Sequence, residues 1–231
     1  MPEEKPLRFH DRHDAGQRLA AALKARAPEE PVVLALPRGG VPVAFEVART
    51  LHAPLDVLLV QKIGAPGYEE FGIGAVVDGT QPQLVLNAEA VAALSVSPGY
   101  VDQECERQLG EIERRRRLYC GEAPAVDVHE RSAILIDDGI ATGATMLVAL
   151  RALDKARPKR KIVAVPVAAP EVLAKLADAA DEVICLSAPA GFRAVGQHYE
   201  DFTQTSDDEV IELLAAQRAA QVSQRQAEHA Q

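Results

Sequence analysis

Ile134-Leu135-Ile136-Asp137-Asp138-Gly139-Ile140-Ala141-Thr142-Gly143-Ala144-Thr145 is the stretch on which the fold turns. Ala133 to Ile136 is an unbroken apolar run of strand length. Two adjacent carboxylates and a loop of small residues follow, and a helical pattern then runs from Thr142 to Ala156. An apolar run without alternation suits a strand buried on both faces. Similar runs lie on either side at Val32 to Leu36, Leu55 to Val60, Ile162 to Val167 and Val183 to Leu186. Between and around them, Asp14 to Arg26, Val41 to Leu51, Pro98 to Tyr119, Glu171 to Ala179 and Asp207 to Gln217 carry helical spacing. Strands alternating with helices predict an α/β fold, a doubly wound and mostly parallel sheet of five strands. Ala75 to Val77 and Leu84 to Leu86 predict a short hairpin around Asp78-Gly79. Lys62 to Gly74 carries Gly64, Pro66, Gly67, Gly72 and Gly74 and reads as a flexible loop. One domain is expected over residues 1–218, and the polar tail, 219–231, is expected to fray.

The chain's 231 residues include 25 Lys+Arg and 34 Asp+Glu, a formal net charge of -9. That balance argues against a general nucleic-acid binder, which needs an excess of cations to displace counterions. The run Arg114 to Arg117 reads as a solvated helix face, with Glu111 and Glu113 four residues before Arg115 and Arg117. Hydrophobic residues make up 48% of the chain, enough for a core, and aromatics only 4%, so that core is aliphatic. Cys105, Cys120 and Cys185 are widely spaced and form no paired motif, which fits a reducing compartment. No apolar run approaches the ~20 residues of a membrane helix, and the charged N-terminus lacks a signal-like segment. A soluble, cytoplasmic protein with no membrane partner is expected.

In a doubly wound sheet, ligands bind beyond the carboxyl ends of the strands. Three loops are expected there: Pro37 to Gly40, Lys62 to Gly74, and Asp137 to Thr145. In the last, unpaired N–H groups at a helix start favour an anion, Gly143 permits close backbone approach, and Thr142 and Thr145 add hydroxyls. The Gly-Lys-Ser/Thr ending of an ATP loop is missing, as is the GxGxxG turn. Asp137 and Asp138 would repel a polyphosphate placed over them, and suit instead the paired hydroxyls of a ribose or a divalent cation. His10-x-x-His13 is too near the N-terminus to assign as a metal site, and no hydrolase nucleophile motif is present.

The whole string resembles the phosphoribosyl-pyrophosphate (PRPP) motif of type I phosphoribosyltransferases. That motif is an apolar strand, two acidic residues, two or three mostly apolar residues, then Thr-Gly-x-Thr/Ser. The likeness runs from Leu7 to Leu214 and is closest to a bacterial group of stand-alone members. Phe9-x-Asp11-Arg12-x-x-Ala15-Gly16, Pro37 to Val43, Lys62-x-Gly64-Ala65-Pro66 and Phe192-x-x-Val195-Gly196-x-x-Tyr199-x-x-Phe202 belong to it. The resemblance implies PRPP binding at Asp137, Asp138, Gly139, Ile140, Ala141, Thr142, Gly143, Ala144 and Thr145, with the acidic pair on the ribose hydroxyls and Ala141 to Thr145 on the 5′-phosphate. It implies pyrophosphate binding at Pro37, Arg38, Gly39 and Gly40, where glycines turn backbone N–H groups onto phosphate oxygens, sometimes through a cis peptide.

It further implies catalytic roles for Arg38 and Lys62, the latter on a mobile loop that closes over the substrate. Ala141 stands where 6-oxopurine enzymes carry an acid, which argues against hypoxanthine or guanine. A replacement acid would come from Glu69 or Glu70. Phe192, Tyr199 and Phe202 are candidates for a hood over a small nitrogen-base acceptor, since aromatics stack on bases. Mg²⁺ is the expected cofactor, held mainly by substrate oxygens without a dedicated protein site. Family members often dimerise, so a homodimer is one assembly the resemblance allows. The expected function is phosphoribosyl transfer to a nitrogen base, or its reverse, in nucleotide metabolism or salvage. The alternative is a PRPP- or nucleotide-sensing regulator of the same fold without catalysis. Retention of Arg38, Lys62 and the glycine-rich loop favours the enzyme.

Overall fold

The computed structural model describes residues 7–26 and 28–229. In chain order the elements are α1 (Arg12–Lys24), β1 (Pro31–Ala35), α2 (Gly40–Leu51), β2 (Leu55–Val57), β3 (Val60–Ala65), β4 (Tyr68–Val77), β5 (Gln83–Leu86) and α3 (Ala88–Ala93). Then follow α4 (Pro98–Cys120), β6 (Ser132–Ile136), α5 (Ala144–Leu153), β7 (Arg160–Val167), α6 (Pro170–Ala177), β8 (Glu182–Ser187) and α7 (Asp207–His229).

Five strands form a parallel sheet in the order β2-β1-β6-β7-β8. Chain order reverses between β1 and β6, the switch point at which such sheets open a crevice. Register pairs Ala35 with Ile136, and Leu36 N–H donates to the Ile136 carbonyl at 2.9 Å. The loops that follow β1 and β6 therefore leave the sheet side by side. Side chains alternate across the sheet. Val33, Ala35, Ile134, Ile136, Ile162 and Ala164 pack beneath α1, α2 and α7. Val32, Leu34, Ala133, Leu135, Val163 and Val165 pack with Met146, Leu150 and Leu176 of α5 and α6. Both faces are covered, which is why these strands read as continuous apolar runs.

Two stretches differ from the sequence expectation. Leu55 to Val60, read as one strand, divides: β2 ends at Val57, and β3 starts at Val60 in a second, antiparallel sheet, β3-β4-β5. Leu58 and Leu59 are both buried, so the run is apolar throughout although the backbone changes sheets. The glycine-rich stretch Lys62 to Gly74 is paired backbone, β3 against β4, rather than an irregular loop. Its inner half is held by buried Ile63, Ala65 and Ile73, while Tyr68 to Gly72 are exposed. The hairpin 75–77 with 84–86 forms as expected, inside β4 and β5.

Helix α7 also runs past Arg218 to His229 instead of ending there. Buried Val210 and Leu214 dock it, Gln217 donates to the Ala53 carbonyl and Arg218 to the Cys120 carbonyl. The residues beyond, rich in Ala, Gln and Arg, are strong helix formers that extend a helix already nucleated by packing.

The arginine run on α4 splits by direction. Arg114 and Arg115 pair with Glu111 on the surface, at 2.8 and 2.7 Å. Arg116 turns inward and donates to Asp56 and Asp78, both at 2.6 Å. Asp56 also accepts from Val126 N–H at 2.9 Å, so one guanidinium joins the edge strand, the end of β4, α4 and the connection to β6. Burial pushes the Asp78 carboxyl up, and Arg116 opposes that shift. Removing one partner of a buried charge pair leaves the other uncompensated. Arg116→Met is expected to cost ~3 kcal/mol in urea denaturation. A loss below ~1 kcal/mol would show that Asp56 and Asp78 do not depend on it.

Candidate functional site

Pro37 to Gly40 follows β1, and Asp137 to Thr145 follows β6; the two loops touch. A Cβ on Gly39 would lie 2.1 Å from Asp138 Oδ2, and one on Gly40 would lie 2.7 Å from the Ile136 carbonyl. A side chain at 39 would displace the Asp138 carboxylate, and one at 40 would collide with the backbone of the second loop. The Pro37–Arg38 peptide is cis. Gly40 N–H returns to the Leu36 carbonyl at 3.1 Å and starts α2.

The second loop is held on its far side. Ile140 N–H donates to the Val167 carbonyl at 2.9 Å and Ala169 N–H to the Ile140 carbonyl at 2.9 Å, so the loop extends the β6–β7 pairing. Gly139 is pressed against Val195 and Val167, where a Cβ would come within 2.6 and 2.9 Å. Gly143 has φ +75° and meets Val172 at 2.4 Å from its virtual Cβ, so both conformation and space require glycine. It is the N-cap of α5, and no side chain caps that helix. The first-turn N–H groups therefore face the loop mouth together with exposed Ala141, Thr142, Ala144 and Thr145.

Asp137 and Asp138 are partly buried at this mouth. Asp137 Oδ1 accepts from Asp138 N–H at 2.9 Å. Asp138 Oδ2 accepts from Arg12 Nε at 2.8 Å. Burial raises the Asp137 carboxyl well above the usual carboxylate range, and the neighbouring Asp138 charge adds to the shift. Asp138 is also raised by burial, but Arg12 opposes the shift. The pair therefore presents acceptor oxygens at a place where polar partners are in demand.

Arg38 and Lys62 stand at different places around the mouth. The Arg38 guanidinium lies 3.7 Å from Asp207 at the start of α7. Asp207 also accepts from the Tyr119 hydroxyl at 2.6 Å, and burial together with that bond pushes Tyr119 up to about 12. Lys62 is exposed on β3. With Thr145 it lines an open cleft of about 780 Å³, whose opposite wall is Arg107, Gln108, Glu111 and Arg114 of α4. Lys62 and Thr145 also border a second cleft of about 610 Å³ toward Gly72, Asn87 and Arg151. A more enclosed cavity of about 360 Å³ lies against Asp56, Asp78 and Arg116 and contains none of the loop residues. Glu69 and Glu70 sit on the exposed half of β4, with Glu69 beside Tyr100 and Arg107 of α4.

Of the three C-terminal aromatics, Tyr199 and Phe202 have ring centres 5.1 Å apart, whereas Phe192 packs elsewhere. Tyr199 is 2% exposed, its ring packed against Phe9 and its hydroxyl donating to the Asp138 carbonyl at 2.6 Å. A buried tyrosine needs such a partner, and here the ring is taken up by packing. Phe192 stacks on His198. Phe202 keeps 37% of its surface exposed, with the Arg12 guanidinium 4.0 Å from its ring centre. Arg12 borders the Asp138 carboxylate, and Gln108, Glu111 and Arg114 line the cleft, placements that the sequence pattern does not assign them. Arg12 lies within the Phe9 to Gly16 string, but nothing local marks a contact made across 126 residues.

Among the described residues no group of three or more His, Cys, Asp or Glu side chains could hold a metal ion. A hard cation such as Mg²⁺ keeps waters and takes oxygen ligands. Asp137 and Asp138 present carboxylate oxygens of that type at the mouth.

The phosphoribosyl transferase domain family matches residues 8–199. Two Mycobacterium tuberculosis relatives, from strains CDC 1551 and H37Rv, carry provisional phosphoribosyl transferase names. Each is 44% identical over 206 residues, covering 89% of this chain and 46% of the relative. The chain thus spans about half the length of the curated relatives it matches. The crystal structure of TT1426 from Thermus thermophilus aligns with a TM-score of 0.77 at 45% identity, over 90% of this chain and 98% of that one. With the family match spanning most of the chain, the chain belongs to the phosphoribosyl transferase domain family.

Proposed function

We propose that the protein is a phosphoribosyltransferase that uses PRPP with Mg²⁺ to place phosphoribosyl on a nitrogen base, or runs the reverse reaction, in nucleotide metabolism or salvage. The observation that carries this is the contact of Gly39 with the Asp138 carboxylate. It joins an anion-binding turn and a paired-carboxylate loop at one point of the crevice.

Ribose 2′- and 3′-hydroxyls donate to Asp137 and Asp138. The 5′-phosphate accepts from the backbone N–H groups of Ala141 to Thr145 and from the hydroxyls of Thr142 and Thr145. The pyrophosphate lies over Pro37, Arg38, Gly39 and Gly40. Mg²⁺, bound through substrate oxygens, supplies charge neutralisation to the leaving pyrophosphate.

The acceptor nitrogen forms its bond to C1 as the C1–oxygen bond breaks, and the bonding pair leaves with pyrophosphate. Arg38 and Lys62 offset the negative charge that builds on that group, an effect that gains from being in place before reaction. The acceptor enters between β3 and α4, where Gln61, Gln108 and Glu111 offer polar edges. Ala141, standing where 6-oxopurine enzymes carry an acid, directs the choice away from hypoxanthine and guanine. Glu69 or Glu70 would take the acceptor's proton if the outer hairpin folds inward. No helix among the described residues is long and apolar enough to cross a membrane, and we infer a cytoplasmic setting with small-molecule partners. A homodimer is the assembly we expect; size-exclusion chromatography with light scattering reads it directly.

Pyrophosphate release from PRPP is the direct assay, run with Mg²⁺ across a panel of bases. Release with at least one base, abolished by EDTA, is expected. PRPP binding without release from any base would favour a sensor. Asp137→Asn with Asp138→Asn is expected to weaken PRPP binding by about two orders of magnitude or more, with the circular-dichroism spectrum unchanged. Unaltered affinity would remove the ribose assignment. Glu69→Gln with Glu70→Gln is expected to lower turnover by about tenfold or more at unchanged PRPP affinity. Full turnover would exclude both as the base.

A further inference from the structure

Two strings in the sequence have no part in the chemistry above: Phe9-x-Asp11-Arg12-x-x-Ala15-Gly16 and Phe192-x-x-Val195-Gly196-x-x-Tyr199-x-x-Phe202. In the fold they converge on Asp138. Asp11 caps α1 by accepting from Asp14 N–H at 2.8 Å, which places Arg12 as the first residue of the helix. Gly16 seats α1 on α2, where a Cβ would meet the Val43 carbonyl at 2.8 Å. Phe9 pairs with the second string, donating its N–H to the His198 carbonyl and accepting from Glu200 N–H, both at 2.8 Å.

From that platform the Arg12 side chain, only 10% exposed, reaches in two directions. Nε donates to Asp138 Oδ2 at 2.8 Å, and Nη1 donates to the Thr203 carbonyl at 2.7 Å. The Phe202 ring lies under the guanidinium at 4.0 Å, an approach that Gly196 allows, because a Cβ there would touch the ring at 2.8 Å. Tyr199 fixes the Asp138 backbone through its 2.6 Å bond to the carbonyl. Val195 packs onto Gly139, the next residue.

We propose that Arg12 is a positioning residue for the ribose: with Tyr199 it holds Asp138 so that its other oxygen, Oδ1, takes a ribose hydroxyl, and it ties that carboxylate to the 192–205 segment through Thr203. The proposal rests on the ribose assignment made above. A guanidinium suits the task because its planar fork bonds in two directions while its face lies on an aromatic ring. A lysine ammonium is a point charge that matches only part of this set. Burial raises both carboxyls and the Asp138 charge raises Asp137 further; Arg12 opposes the shift at Asp138 by charge and hydrogen bond, and at Asp137 by charge only. The ribose site and the C-terminal segment thus share one residue.

The test is calorimetric titration of PRPP, ribose 5-phosphate and pyrophosphate, each with Mg²⁺, into the intact protein and four variants. Arg12→Met is expected to weaken PRPP and ribose 5-phosphate by about tenfold or more and pyrophosphate by clearly less, because Asp138 bonds the ribose and reaches the pyrophosphate turn only by its packing on Gly39. Arg12→Lys falls between, and Tyr199→Phe, which keeps the buried ring, weakens the same two ligands to a smaller degree. An equal loss for pyrophosphate would mean general damage and overturns the proposal. So does unchanged ribose 5-phosphate affinity in Arg12→Met, or in Tyr199→Phe should Arg12→Met fail to fold. Asp138→Asn separates the two levels. Loss of ribose 5-phosphate there with none at Arg12 refutes the clamp alone. No loss at Asp138, or no PRPP binding by the intact protein, removes the ribose assignment and the clamp with it.

Discussion

The close approach of Gly39 to the Asp138 carboxylate is the constraint around which the chain is arranged. It requires β1 and β6 to be neighbours in register, so that their loops emerge at the same height. It also requires a residue without a side chain at 39 and again at 40, against the Ile136 carbonyl. The sheet order, the buried strands and the packing of α1 on α2 all serve to keep that contact. A conventional helix cap at either loop would satisfy the backbone locally; instead α2 and α5 both begin at glycine with no side-chain cap. At α2 the Gly40 and Val41 N–H groups donate to the Leu36 and Arg38 carbonyls, whereas the first-turn donors of α5 face the loop mouth.

Electrostatics at the site are local and opposed. Adjacent carboxylates in a partly buried place resist ionisation together, and one of them is matched by Arg12. The other cations are distributed, with Arg38 leaning toward Asp207 and Lys62 exposed on β3. The net charge of -9 therefore says little about the mouth of the crevice. What counts there is the placement of a few donors and acceptors of both signs, which suits a small molecule carrying hydroxyls and phosphates at fixed spacing.

Local pattern made the five parallel strands and their helices legible, because strands covered on both faces must be apolar throughout. The Asp137 to Thr145 loop was legible for a similar reason: acidic pair, small residues and helix start are contiguous. What escaped depends on contacts between distant segments. Leu58 and Leu59 are as apolar as a strand, and only the tertiary pairing shows that the chain changes sheets there. The glycines of 62–74 suggested irregular backbone, yet Ile63 and Ile73 supply enough burial for paired strands. Arg116 and Arg114 are alike in sequence, and only the buried Asp56 and Asp78 separate a core ion network from a surface pair. Tyr199 reads as a stacking aromatic until its hydroxyl is seen to hold the backbone of Asp138.

A crystal structure of the protein with ribose 5-phosphate tests the central claim most directly. The account predicts the phosphate within hydrogen-bond distance of the Ala141 to Thr145 amides and the ribose hydroxyls on Asp137 and Asp138, beside an unmoved Arg12. Ribose 5-phosphate bound elsewhere, or bound with its hydroxyls turned away from the two carboxylates, would contradict it.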